Sequence, residues 1–177
     1  ARAALRQLMG TLGRNDRFRL IRFSSMVSTY EPGWTQATPD NVRRAHDWID
    51  ELRAEGGTNI SGALEEAFRA SSPSDRLPVI VFMTDGLPSA GETDPEAIAR
   101  LAERTAGRAR VFAFGVGYDV NTYLLDRLGL VGRGGAQYVQ PGEDVEMALG
   151  ALATKIQHPV LADLELGEAP VRVEEVY

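Results

Sequence analysis

Five apolar residues in a row, Val79-Ile-Val-Phe-Met83, run straight into Thr84-Asp85-Gly86, and this stretch constrains the chain more than any other. An unbroken run rich in β-branched and aromatic residues predicts a strand buried on both faces, as in a parallel sheet covered by helices. Loops at the carboxyl ends of such strands form the crevices where open α/β sheets bind ligands. A carboxylate there, followed by glycine and a polar loop, makes Asp85 the first candidate for a metal or phosphate site.

The rest of the chain supplies strands and helices in alternation. Apolar residues at Ala4, Leu5, Leu8, Met9 and Leu12 keep helical spacing from Ala1, with no capping residue ahead of them. That uncapped start predicts a domain whose beginning lies upstream. Arg17 to Phe23 and Val27 to Tyr30 read as strands, the second polar enough for a sheet edge. Thr38-Pro39 and Asp94-Pro95 are cap-then-proline helix starts, the first leading a buried stripe of Val42, Ala45, Ile49 and Leu52. Ser61 to Ala70, Asn121 to Leu128 and Glu143 to Ile156 are further predicted helices. Arg110 to Val116 is a second central strand and Tyr138-Val139 a short one, with Gly129 to Gly135 as a connection. This alternation predicts an α/β fold, a doubly wound, mostly parallel sheet with helices on both faces. Residues 1–159 form that domain. In residues 160–177 the pattern changes to alternating apolar and polar residues without a helix, the start of a following β segment.

Composition removes several classes of function. The 177 residues carry a net charge of −6 and no basic stripe, which argues against nucleic acid as a partner. No run approaches the length of a membrane span. With no cysteine and only His46 and His158, neither a thiolate zinc site nor a histidine-rich metal centre is available within the chain. His46, beside Arg43, Arg44 and Asp47 on a helix, is expected to face solvent. The chain contains no Gly-x-x-x-x-Gly-Lys loop, no Gly-x-Ser-x-Gly elbow and no His-Glu-x-x-His.

Two loops belong together. Gly56-Gly-Thr-Asn-Ile-Ser61 offers a hydroxyl at Thr58, and Thr84-Asp-Gly-Leu-Pro-Ser89 offers the Asp85 carboxylate. A doubly wound sheet brings both to its carboxyl edge, where Thr58 and Asp85 could hold two oxygen positions of a hard cation such as Mg²⁺. Taken alone, Asp85 also reads as a turn residue and Thr58 as a helix N-cap. Ser61, Thr84 and Ser89 read as caps and turn residues, and Ser24 and Ser25 have no assigned role.

In its element order, and in Gly57-Thr58-Asn59-Ile60, Met83-Thr84-Asp85-Gly86 and Phe112-Ala-Phe-Gly-Val-Gly117, the chain resembles the von Willebrand factor type A domain. Thr84-Asp-Gly-Leu-Pro-Ser-Ala-Gly-Glu-Thr93 is similar to the inter-alpha-trypsin inhibitor heavy chains and their bacterial relatives. The resemblance implies a metal-ion-dependent adhesion site, in which Thr58 and Asp85 match the second and third ligand loops. The first loop, Asp-x-Ser-x-Ser after the first strand, occurs nowhere in these residues. The expectation is therefore a type A domain lacking its first, central strand. The vacated place would be filled by the chain's C-terminal strand, another molecule or residues outside this sequence.

The resemblance further implies a protein-binding module, not an enzyme. Bound Mg²⁺ (or Mn²⁺ or Ca²⁺) would accept an Asp or Glu side chain from a protein partner, outside the cell or in its envelope. Without the first loop the metal would be held weakly or not at all, so a structural domain with an incomplete, metal-free site is the alternative. A metal-dependent phosphohydrolase is a further alternative that no motif supports.

Overall fold

Helix starts written into the sequence form as capped ends. The computed structural model describes residues 2–53, 56–69, 76–140, 142–143 and 145–157. Thr38 Oγ1 accepts from the Asn41 amide at 3.3 Å ahead of α2 (Pro39–Asp50), and the Asp94 carboxylate accepts from Glu96 and Ala97 ahead of α4 (Pro95–Thr105). Proline at the first helical turn costs no hydrogen bond, because that amide has no intrahelical acceptor. The other helices are α1 (Arg2–Gly10), α3 (Ile60–Arg69), α5 (Thr122–Val131) and α6 (Val145–Gln157).

Three strands form the parallel sheet: β5 (Val79–Thr84), β6 (Arg110–Val116) and β7 (Gly135–Val139), in the order β5-β6-β7. Two short antiparallel pairs stand apart from it: β1 (Arg17–Phe18) with β4 (Thr35–Gln36), and β2 (Ile21–Phe23) with β3 (Val27–Thr29). The predicted strand from Arg17 to Phe23 is thus broken at Arg19 and Leu20, and β4 was not predicted.

Side chains alternate across the parallel sheet, as the pleat requires. Ile80, Phe82, Val111 and Ala113 face one side and pack with Ile60, Leu64, Ile98, Leu124 and Leu128 from α3, α4 and α5. Val81, Met83, Phe112 and Phe114 face the other, against Ala4 of α1 and Leu149 and Leu152 of α6. Helices on both faces make this the α/β architecture expected. A separate cluster of Met9, Phe18, Ala37, Ala45 and Ile49 joins α1 and α2 to β1. Arg19 ties the segment between β1 and β2 to α3: its guanidinium donates to the Glu66 carboxylate at 2.5 Å and to the Glu66 carbonyl at 3.1 Å.

Three local expectations change. Helix α5 runs through Gly129 to Val131, and β7 begins at Gly135, so the glycine-rich connection shrinks to its middle. The reason is contact: a Cβ at Gly129 would lie 2.5 Å from the Gly135 carbonyl carbon and 2.8 Å from the Ala136 amide nitrogen. Glycine there lets the helix rest on the strand's backbone. Tyr138 fastens the two further, its hydroxyl donating to the Thr122 carbonyl at 2.8 Å and bonding Asp126 at 2.7 Å; burial first, and Asp126 second, push its pKa upward. His46, expected in solvent, is half-buried, and its Nε2 is buried with no partner among the described residues.

The third change concerns the central strand itself. Only Phe82 and Thr84 of β5 are fully buried, and Val79, Ile80, Val81 and Met83 are half-buried. Among the described residues β5 pairs with β6 alone and has no strand on its other edge. Across that interval Phe23 of β2 stacks on Phe82, with ring centroids 5.3 Å apart. Residues 158–177, which include the predicted C-terminal β segment, lie outside the described residues.

Candidate metal centre

Hydrogen bonding between loops about thirty residues apart builds the site. The loop ahead of α3 and the loop after β5 meet through Thr58 and Ser89. The Thr58 amide donates to Ser89 Oγ at 2.9 Å, and the Ser89 amide donates back to the Thr58 carbonyl at 3.0 Å. On the other side Ser25 Oγ accepts from the Gly57 amide at 2.7 Å, and the Ser24 carbonyl accepts from the Asn59 amide at 2.8 Å. Three segments therefore converge on one short stretch, Gly57 to Asn59. A Cβ at Gly57 would sit 3.0 Å from Ser89 Oγ and 3.2 Å from Ser25 Oγ, pressing on both serine hydroxyls that join the loops.

Asn59 takes the capping role that residue type alone left open to Thr58. Its Oδ1 accepts from the Gly62 amide at 2.9 Å and from the Ser61 hydroxyl at 3.2 Å, at the N-terminus of α3. The Thr58 hydroxyl is left uncommitted, with no hydrogen bond among the described residues. It lies against Gly86, 3.1 Å from where a Cβ on that residue would stand, and so next to Asp85 in sequence. Asp85 is exposed and its carboxylate makes no hydrogen bond or ion pair among the described residues. The structure thus sets Thr58 beside the residue that follows Asp85.

Thr84 behaves as expected of a turn residue: buried, it donates from Oγ1 to the Gly86 carbonyl at 3.2 Å. Ser61 and Ser89 do more than cap. Ser61 Oγ accepts from the Glu92 amide at 3.0 Å, pinning the far end of the Asp85 loop as Ser89 pins its middle. Between them Gly91 holds φ +68° with its Cα against Asn59, so that a Cβ would fall 2.4 Å from Asn59 Oδ1. Gly91→Ala adds a left-handed alanine and a collision at once, and is expected to cost about 1–3 kcal/mol. Amide exchange resolved by residue checks it: protection at Gly62 and Glu92 should fall before that of β6.

Oxygen donors suit Mg²⁺, Mn²⁺ or Ca²⁺ in kind. They are few, and no group of three or more His, Asp or Glu side chains could hold an ion among the described residues. Two protein oxygens, one neutral and one charged, are what Thr58 and Asp85 would offer to such an ion.

This arrangement has relatives. The profile of the von Willebrand factor type A domain matches residues 1–138, and the chain belongs to that family. Among characterised proteins it is 32% identical over 99% of its length to human inter-alpha-trypsin inhibitor heavy chain H4, of which it covers 20%. It is 33% identical over 93% of its length to human heavy chain H6, of which it covers 14%. The chain therefore spans a fifth or less of these two relatives. Solved structures agree on the fold: a von Willebrand factor type A protein from Catenulispora acidiphila superposes with a TM-score of 0.78 at 19% identity, covering 87% of this chain and 37% of that one. Mussel byssus proximal thread matrix protein 1, solved with zinc in its adhesion-site motif, gives 0.68 at 14% identity, covering 88% and 39%.

Proposed function

We propose that this domain is a divalent-metal-dependent, adhesion-type protein-binding module that uses Thr58 and Asp85 as ligands. One observation carries the reading: two uncommitted oxygens of the right kind stand in loops that other hydrogen bonds hold together. A bound Mg²⁺ would supply an electrophilic centre with a position open to a carboxylate oxygen of the partner. Asp85 contributes charge and Thr58 a neutral oxygen. The remaining positions fall to water and, on the family resemblance, to an Asp-x-Ser-x-Ser loop on a strand preceding α1. Binding without turnover accords with the family, and the zinc-occupied motif of the mussel protein supports metal in such a site. A location outside the cell or in its envelope is supported by structural neighbours that include a minor pilin and a pilus adhesin.

The test is titration with Mn²⁺ followed by amide line broadening, then addition of an Asp-containing peptide. Broadening centred on Gly57 to Asn59 and Asp85 to Gly86 is expected, with peptide binding that needs the metal. Asp85→Asn should weaken Mn²⁺ at least about tenfold, the loss that even outer-shell partners of a metal produce. It should leave the thermal midpoint within about 2 °C, because exposed residues outside packing and capping contribute little to stability. Unchanged Mn²⁺ binding in Asp85→Asn refutes the proposal. No Mn²⁺ binding by the wild-type chain favours a structural domain with an incomplete site.

A further inference from the structure

We propose that the outer edge of β3 accepts an extended, basic peptide segment of a partner protein as an added strand, independently of metal. Hydrogen-bond phase gives the first argument. The Tyr30 amide donates to the Leu20 carbonyl and the Ser24 amide to the Met26 carbonyl, each at 2.9 Å, on the ladder that pairs Ile21 with Thr29 and Phe23 with Val27. Bonded and non-bonded pairs alternate along an antiparallel ladder. Ile21–Thr29 and Phe23–Val27 are then the non-bonded pairs, so the amide and carbonyl groups of Val27 and Thr29 point away from β2. Among the described residues β3 has no second strand partner.

Shape gives the second argument. A groove of about 510 Å³ is walled on one side by Ser25 to Thr29 in unbroken succession, and on the other by the α3 surface at Gly62, Glu65 and Arg69. A groove on a strand's face would touch alternate residues. All three residues of β3, Val27, Ser28 and Thr29, line it together with the hairpin turn, so it reaches the strand's edge, where the free amides are. Gly62 lets α3 approach β3 closely at the groove's floor: a Cβ there would come within 3.1 Å of Val27 Cγ2. Met26, 78% exposed, adds an apolar surface at the mouth.

Charge identifies the occupant. Glu66 is already engaged by Arg19 and Arg69. Glu65 is exposed and makes no ion pair or hydrogen bond among the described residues, so it is the carboxylate on the groove wall open to a new partner. Strand addition takes its affinity from main-chain hydrogen bonds and its specificity from alternate side chains. The fitting segment is thus extended, with a Lys or Arg facing Glu65, and the chain's net charge of −6 favours the approach of a basic partner.

The probe is fluorescein-labelled Thr-Val-Lys-Val-Thr, titrated against the full chain in EDTA and followed by anisotropy and amide shifts. Shifts at Val27 and Thr29 are expected. Replacing the peptide's Lys by Glu should weaken binding about fivefold, the upper range for an exposed ion pair. Glu65→Lys should reverse that preference, and methylation of the peptide's bonding amides should abolish binding. Thr29→Pro removes only an outward amide and should also abolish binding; Glu65→Lys, on a helix surface, covers the case in which that variant does not fold. Equal affinity of the Lys and Glu peptides, full binding by the methylated one, shifts confined to β5, or no binding overturns the proposal. So does a dimer in which Val27 and Thr29 protect one another, since that gives the edge to a second copy. Because the assay contains no metal, its result is separate from the fate of Thr58 and Asp85.

Discussion

Alanine at Gly129 is expected to destabilise the domain by about 2–3 kcal/mol, although alanine is the better helix former by about 1 kcal/mol. The sign follows from what the new methyl group meets. Within 3 Å of the Cβ position stand the Gly135 carbonyl carbon, the Ala136 amide nitrogen and the Gly135 Cα, all backbone atoms of β7. A flexible side chain could swing aside, whereas this backbone is fixed by its parallel ladder to β6, where Phe112 pairs with Gly135 and Ala113 with Ala136. Helix α5 must lift, and Leu124, Leu125 and Leu128, none more than 1% exposed, lift with it. A thermal midpoint lower by about 5–10 °C is the expected readout. Gly10→Ala in α1, where nothing lies within 4 Å of the new atom, serves as the control and should hold or raise the midpoint. Equal midpoints for Gly129→Ala and wild type would show that the helix does not rest on the strand.

Glu66→Ala should cost more, about 3–5 kcal/mol, as expected when one partner of a buried ion pair is removed. Arg19 and Glu66 are only 7% and 15% exposed at their side chains, and the Arg19 Nε is already buried without a partner. Without the carboxylate, the guanidinium keeps a single bond to the Glu66 carbonyl and a full charge away from water. Arg69→Ala removes the other, 75% exposed partner of the same carboxylate and should cost at most about 1 kcal/mol. The double replacement Arg19→Met with Glu66→Leu should recover most of the loss, because no charge is then stranded. Urea denaturation of the three variants beside wild type separates these outcomes. Equal losses for Glu66→Ala and Arg69→Ala would place the pair in solvent.

Much of the layered fold was legible because its signals are local. Thr38-Pro39 and Asp94-Pro95 carry their caps with them, and Val79 to Met83 and Arg110 to Val116 announce strands by composition. Gly129 misled for the opposite reason: read locally it ends a helix, but its neighbour is a strand six residues later. The broken strand at Arg19 likewise depends on a partner, Glu66, far along the chain. At the candidate metal centre, residue type and spacing single out Thr58 and Asp85. The serines that join their loops were read as local caps, because reciprocal bonds between Thr58 and Ser89 leave no periodic mark in a sequence. Asn59 shows the same limit, since only geometry decides which of two adjacent polar residues caps α3.

The composition of β5 has a consequence for the chain in solution. Val-Ile-Val-Phe-Met-Thr is uncharged, rich in strand-forming side chains and free of proline, the composition that stacks into intermolecular cross-β assemblies. Residues bracketing such a segment act as gatekeepers, and here they are Pro78 before it and Asp85 after it. The carboxylate proposed to hold metal also flanks this aggregation-prone stretch of the core. On that proposal, recognition and colloidal solubility draw on one side chain.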